Sequence, residues 1–513
     1  MHTLTSFFLF VVGLILFVNC DSKSSYPPSE YASLEQVYVP VLQERFTGIA
    51  RVNLDLPAAQ ELTALEISLE GSVQPETVRV FLVAEASDKK ILSGSFSSES
   101  GRWQLEGGVL LAMGKQHLDI QVKMASDSDL RGRFSLDIPY IELSGTRRQP
   151  VHSGASIPYR IGKALRDAGN DGVAAFRIPG LATSNKGTLL AVYDVRHANS
   201  SDLQGDIDVG LSRSTDGGNT WEPMKIIMDM GEWGGLPEDQ NGIGDPAILV
   251  DEQTGTIWVI ALWMHGKPGT AAWNSSGRGL TPQETGQLML VKSEDDGKTW
   301  SDPITITEPM KDPSWQLFFN GPGKGITLND GTLVFAAQYK DADKMPYSTL
   351  IYSKDGGDSW EVGTGAKSNT TEAQVAELAD GSLMLNMRDN RGGARSVSIT
   401  RDLGKTWEEH PTSRKSLIEP VCMGSLYRFS ENLLLFSNPA ATDGRYNISL
   451  KASLDQGASW TESAQVVLDK EKGWGYSCLS TVDERHVGIL YESSQAHMTF
   501  QIIPIEDLSV VEK

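Results

Sequence analysis

The sequence predicts an all-β chain: a six-bladed β-propeller over residues 151–513, preceded by an N-terminal β-sandwich over residues 20–150. Three observations predict it. From Tyr26 to Gln149, short runs alternate apolar and polar residues with period two, the spacing of strands that bury one face. Beyond them, an octet of the form Ser/Thr-x-Asp-x-Gly-x-Thr/Ser-Trp occurs five times. Its copies lie about fifty to eighty residues apart, room for four strands and their loops, which is one propeller blade.

Residues 1–19, MHTLTSFFLFVVGLILFVN, form a short apolar run that reads as a signal peptide for export. FVNC followed by DSKSS resembles a bacterial lipoprotein cleavage box, which would make Cys20 a lipidated N-terminus and the mature product periplasmic or cell-surface. The run has no Lys or Arg, and Asn19 stands where such boxes carry a small residue; ordinary cleavage to a soluble secreted product is the alternative.

In the next stretch QVYVPVL, LTALEISLEG, TVRVFLVAE, GGVLLAM, HLDIQVKM and RFSLDIPYIEL are the clearest strands, separated by Gly, Asp and Ser. No catalytic constellation occurs there. The segment reads as an accessory domain, with sugar binding and packing against the next domain as its two open roles. SGTRRQPVHSG (144–154) is the expected junction.

The octets begin at residues 214, 293, 353, 400 and 453, so one of six blades lacks a copy. In each, Asp is expected to accept backbone N–H bonds and Gly to take φ > 0, while Trp pins the turn against its own strands at the blade periphery.

Forty-five basic residues against sixty-six acidic ones give a net charge of −21, and no basic tract stands out. Nucleic acid is therefore not an expected partner, and an anionic substrate must be caught by a local cluster of positive groups. Cys422 and Cys478, the only cysteines past Cys20, are expected as small buried groups, with a disulfide between them left open. No metal-ligand spacing and no phosphate loop occurs, so neither a metal nor an organic cofactor is expected.

VAAFRIPGLA (173–182) places Arg177 inside an apolar strand, where burial is costly without a partner. FRIP together with the octets resembles the bacterial exo-α-sialidases (neuraminidases) of the glycoside hydrolase family thirty-three type, which carry Asp-box (BNR) repeats; the similarity covers roughly residues 155–505. That resemblance implies a six-bladed propeller that removes terminal sialic acid from glycoconjugates. Sialic acid bears a carboxylate on its anomeric carbon, and arginines in a fixed fork suit it better than lysines.

The resemblance assigns a carboxylate-binding triad to Arg177, to Arg388 in LNMRDNRGG and to Arg445 in DGRYNIS. Arg391 and Arg395 compete with Arg388, which alone directly follows the SLMLNM strand. Glu492 in ILYESS matches the glutamate that holds the first arginine. Tyr476 in GWGYSCLS matches the nucleophile, and a neutral phenol avoids the repulsion that a carboxylate would meet from the substrate's own carboxylate. Glu372 in NTTEAQVAEL is its implied base, with Glu377 expected to face the other side of the strand.

In DVRHANSSDLQGDID, Asp202 is the implied general acid, with Asp194, Asp206 and Asp208 as rivals; Arg196 is implied to contact the sugar ring, and His197 beside it has no assigned role. Asp245 in GIGDPAIL matches an aspartate that touches the sugar's polar substituents, although a turn-forming Asp before Pro explains it nearly as well. Trp233, Trp263, Trp273 and Trp315 are candidate aromatic walls or core. The reading is a retaining exo-α-sialidase working through a sialyl-tyrosine. A trans-sialidase and a non-catalytic sialic-acid-binding propeller are the alternatives.

Overall fold

The computed structural model describes residues 26–508 apart from 85–88, 155, 204, 266–269 and 271; the expected signal peptide (1–19) and lipidation site Cys20 lie outside the described residues. The octets explain the architecture. In the first, Asp216 accepts from the Thr220 N–H at 2.9 Å and from its hydroxyl at 2.6 Å, while the Gly218 N–H donates to Ser214 Oγ at 2.8 Å. The same bonds recur around Asp295, Asp355, Asp402 and Asp455. Accepting these bonds holds the Asp295, Asp355 and Asp402 carboxyls down at about 2.

Each octet starts on the last residue of a sheet's third strand and turns the chain toward its short outer strand. The first links Ile207–Ser214 to Lys225–Met228 and the fifth links Ile448–Ser453 to Gln465–Asp469. Their place at the periphery is as expected, but their packing is not only local. A Cβ at Gly357 would lie 2.4 Å from Trp258, and one at Gly457 2.8 Å from Met384, both in the preceding sheet. The octet glycine is therefore where one sheet seats on its neighbour.

Among the described residues, five blade-like sheets stand separately, their first strands being Ala175–Thr183, Asn241–Val250, Leu317–Asn320, Thr370–Glu377 and Ser425–Ser430. Six were expected. The last three strands, Ser477–Asp483, His486–Tyr491 and Met498–Pro504, form no sheet of their own. Met498–Pro504 pairs with Tyr159–Arg166, which continues by hydrogen bonds into the N-terminal strands, giving one sixteen-stranded sheet. The segment without an octet is thus the one whose outer strand comes from the far end of the chain.

Most of the expected N-terminal strands form, with alternating burial along Gly114–Lys123 and Arg133–Leu143, but QVYVPVL does not: Pro28–Gln36 ends at its first residue and only Val41–Leu42 follows as a two-residue strand. They do not separate into two free sheets: Thr146–His152, at the expected junction, pairs with Arg133–Leu143 on one side and Pro28–Gln36 on the other. Their core runs without a break into the last strands, from Leu118 and Trp103 through Tyr159 to Phe500.

An ion cluster centred on a buried carboxylate clamps this joint. The Asp507 carboxylate, 5% exposed, accepts from both Arg133 and Arg160. Asp507→Ala leaves the Arg160 guanidinium buried and unpaired, and is expected to cost about 3 kcal/mol of stability. Denaturant unfolding checks this; a loss below about 1 kcal/mol would mean that water already serves Arg160.

Candidate active site

The inner strands of the sheets do not run regularly past the axis. Pairing slips between Arg177 and Gly180, between Gly244 and Ala247, and between Thr370 and Ala373. Such bulges re-aim side chains, and these present Arg177, Asp245 and Glu372 to one cavity of about 430 Å³. Ile178 and Asp245 hold φ of 60° and 56° there, a conformation that costs energy for non-glycine residues, Ile178 especially. Alternation alone cannot forecast these slips.

One wall is built around Tyr476. Its hydroxyl donates to Glu372 Oε1, and Arg388 Nη1 donates to both Glu372 Oε2 at 2.7 Å and Tyr476 Oη at 2.9 Å. The Arg177 and Arg445 guanidinium carbons lie 5.7 and 5.5 Å from the phenol ring centroid. Burial and the neighbouring Glu372 push the Tyr476 hydroxyl well above its ordinary value, against the opposing pull of Arg388 and Arg445. The phenol is therefore neutral, with its proton already directed at a carboxylate. Gly475, at φ +88°, lets the backbone pass where a Cβ would meet Pro439 and the Arg445 stem.

Glu492 is 0% exposed and ties this wall together. It accepts from Arg177 Nε at 2.6 Å, Ile178 N at 3.0 Å and Tyr476 N at 3.0 Å. Burial opposes the Arg177 charge, but Glu492 more than restores it. Arg445 donates to the Trp474 carbonyl at 3.1 Å, and no carboxylate lies within ion-pair distance of it among the described residues. Arg388 Nε and Thr371 Oγ1 are buried without a partner, and both residues line the cavity.

The opposite wall is acidic. Arg196, 1% exposed, donates to Asp194 Oδ2 at 2.8 Å, to the Ser200 carbonyl at 2.7 Å and pairs with Asp202 at 2.8 Å. Asp202 itself is 77% exposed on its loop. Asp194 Oδ1 takes the Asp245 N–H at 2.9 Å. Burial pushes the Asp194 carboxyl up to about 6, and burial with Asp194, Asp202 and Glu372 nearby pushes Asp245 well above the carboxylate range.

Of the sequence-derived residues, Arg177, Asp202, Asp245, Glu372, Arg388, Arg445 and Tyr476 line the cavity, and Arg196 and Glu492 stand directly behind it. Arg196, expected on the sugar ring, has its guanidinium turned to Asp194 and the Asp202 loop. Glu377 lies toward the far end of its strand, accepting from Asn329 N. Arg395 is fully buried on Glu419 and Arg391 pairs with Asp389, so neither rivals Arg388. Trp273 lines the cavity. Trp263 is fully buried with Trp233 edge-on at 4.4 Å, and Trp315 stacks on Tyr339 at 3.9 Å. Gln338 in the wall was missed; Asp194, named from the sequence as a rival for the general acid, stands behind the cavity and accepts from Arg196.

Cys422 and Cys478 are buried free thiols, so the open disulfide is not formed. His197, Asp206 and Asp208 bring ligand atoms within 4.8 Å of one another beside the Asp202 loop, but they do not line the cavity.

A protein-family model described as a BNR repeat-like domain matches residues 187–490. The chain is 53% identical over 412 residues to a sialidase of Bacteroides fragilis, spanning 79% of this chain and 76% of that one. It is 32% identical over 349 residues to a sialidase of Clostridium perfringens, spanning 62% and 86%. The solved structure of a Hadza microbial sialidase, Hz136, superposes with a TM-score of 0.83 at 43% identity, covering 93% of this chain and all of that one.

Proposed function

The chain belongs to the sialidase family of BNR-repeat proteins, and on that premise we propose that its cavity hydrolyses terminal α-linked sialic acid from glycoconjugates with retention of configuration. The observation that carries this reading is a phenol hydroxyl bonded to both Glu372 and Arg388, with two further guanidiniums on its ring. A cavity of about 430 Å³ accommodates one sugar rather than a chain, as exo-cleavage requires.

The substrate carboxylate is held by Arg177, Arg388 and Arg445. Tyr476 Oη attacks the anomeric carbon as its proton passes to Glu372, and the Arg388 N–H steadies the oxygen while charge shifts through it. Asp202 protonates the departing glycosidic oxygen. Water then cleaves the sialyl-tyrosine, with Asp202 as base and the phenol taking back its proton from Glu372. Asp245 and Gln338 face the sugar's polar substituents.

The test is hydrolysis of an α-sialoside followed from the first minutes by proton NMR. The α-anomer of free sialic acid is the expected first product. A β-anomer would overturn retention, and an anhydro or transferred sugar would move the chain to the trans-sialidase reading.

Three finer points belong to the same proposal. The strands Ser477–Asp483, His486–Tyr491 and Met498–Pro504 with Tyr159–Arg166 act as a sixth blade that closes the ring; in support, a Cβ at Gly218 of the first octet would lie 2.2 Å from Phe500. The N-terminal strands form a sandwich-like accessory domain, supported by Leu118 and Ile120 packing in one cluster with Leu65 and Ile67. Export with a lipid on Cys20 rests on the FVNC box, and the mass of the mature N-terminal peptide tests it.

A further inference from the structure

Asp202 sits on the loop joining Leu189–Arg196 to Ile207–Ser214. At its tip the loop is held by Arg196, through the Ser200 carbonyl and the Asp202 carboxylate. On its return limb Leu203 is buried among Ile207, Leu262 and Phe319. At its neck the ladder ends with Arg196 opposite Ile207, and a side-chain pair extends it: His197 Nε2 lies 2.8 Å from Asp208 Oδ2. The His197 N–H also donates to the Asp206 carbonyl, and its own carbonyl accepts from Ala174 N, each at 3.3 Å. Asp208 is only 7% exposed. A carboxylate that deep is costly without its partner, and the reaction described above uses neither residue.

We propose that His197 and Asp208 are positioning residues that clamp the neck of this loop, so that the exposed Asp202 carboxyl returns to one place beside the leaving-group oxygen. The clamp rests on Asp202 being the general acid. To serve as one, Asp202 must take up a proton, which weakens its pair with Arg196 and frees the tip from one of its holds. Leu203, the His197 N–H bond to the Asp206 carbonyl and the His197–Asp208 pair then carry the loop, and the pair is the side-chain link that reinforces this long backbone bond between the two limbs at the neck.

The experiment compares kcat on two substrates. An aryl sialoside with a strongly activated leaving group departs without protonation, whereas sialyllactose needs it. His197→Ala is expected to lower kcat on sialyllactose about 10- to 100-fold, within the range general acid catalysis supplies, and on the aryl sialoside less than about threefold. His197→Gln, which keeps a donor toward Asp208, is expected to recover most of the loss, a rescue that unspecific loosening would not give. Asp202→Ala is the control and must show the same selective loss, larger. Equal losses on both substrates in Asp202→Ala would remove the acid role itself. A selective Asp202→Ala beside an unselective or silent His197→Ala would overturn the clamp alone. If His197→Ala fails to fold, Asp208→Asn is read in the same way. A change in wild-type kcat on chelation or added Mn2+ would assign His197, Asp206 and Asp208 to a cation instead; no change is expected.

Discussion

Tyr476→Phe is expected to lower kcat at least about 1,000-fold, some 4 kcal/mol of transition-state stabilisation, while KM stays within a few-fold of wild type. The split follows from the geometry. The substitution removes the oxygen bonded to Glu372 and Arg388 but keeps the ring between Arg177 and Arg445. Those guanidiniums, fixed by Glu492 and by the Trp474 carbonyl, still receive the substrate carboxylate. Rapid-quench mass spectrometry on the wild type is expected to place the sialyl adduct on the peptide containing Tyr476, and the Phe variant to show none. Activity within tenfold of wild type, or an adduct elsewhere, would remove Tyr476 as nucleophile. Glu372→Gln separates the two partners: the amide keeps hydrogen-bonding capacity toward the phenol but cannot take its proton, so kcat is expected to fall about 100-fold or more, within the range of a lost general base.

Arg177 was legible because a guanidinium inside the apolar strand of FRIP is costly to bury without a partner. Tyr476 in GWGYSCLS, Glu372 in NTTEAQVAEL and Glu492 in ILYESS were legible only through the resemblance of those stretches to the sialidase family. The octets were legible for a different reason: Asp, Gly and Ser/Thr at fixed offsets write out the hydrogen bonds of one turn, and all five make them. What stayed hidden depends on contacts between distant segments. Nothing in MTFQIIP indicates that its outer partner is Tyr159–Arg166, more than three hundred residues earlier. Period-two reading also assumes an unbroken ladder, whereas the slips at Arg177, Gly244 and Thr370 decide which side chains face the cavity. The partners of Arg196 stayed hidden because neither Asp194 nor the Asp202 loop can be placed against it without the hairpin's register.

Glu492→Gln should behave in the opposite way to Tyr476→Phe, losing fold and function together. The carboxylate is sealed from solvent and receives N–H groups from Arg177, Ile178 and Tyr476. Gln offers one oxygen where Glu has two, and its amide N–H2 points donors at donors. It also leaves the buried Arg177 charge without its anion, so stability is expected to fall by about 3 to 5 kcal/mol. The backbone consequence matters as much as the charge. Glu492 holds the N–H of Ile178 inside a strained bulge and that of Tyr476 in the nucleophile's own strand approach, so releasing it lets the carboxylate fork and the attacking oxygen drift independently. Misplacement of about 1 Å costs on the order of 100-fold in rate. Both a rise in KM and a fall in kcat are therefore expected, measured under conditions where circular dichroism shows the variant still folded. A variant with wild-type KM would mean that Arg177 binds substrate without its buried partner, and the chain of support running from Glu492 to the carboxylate fork would be broken at its first link.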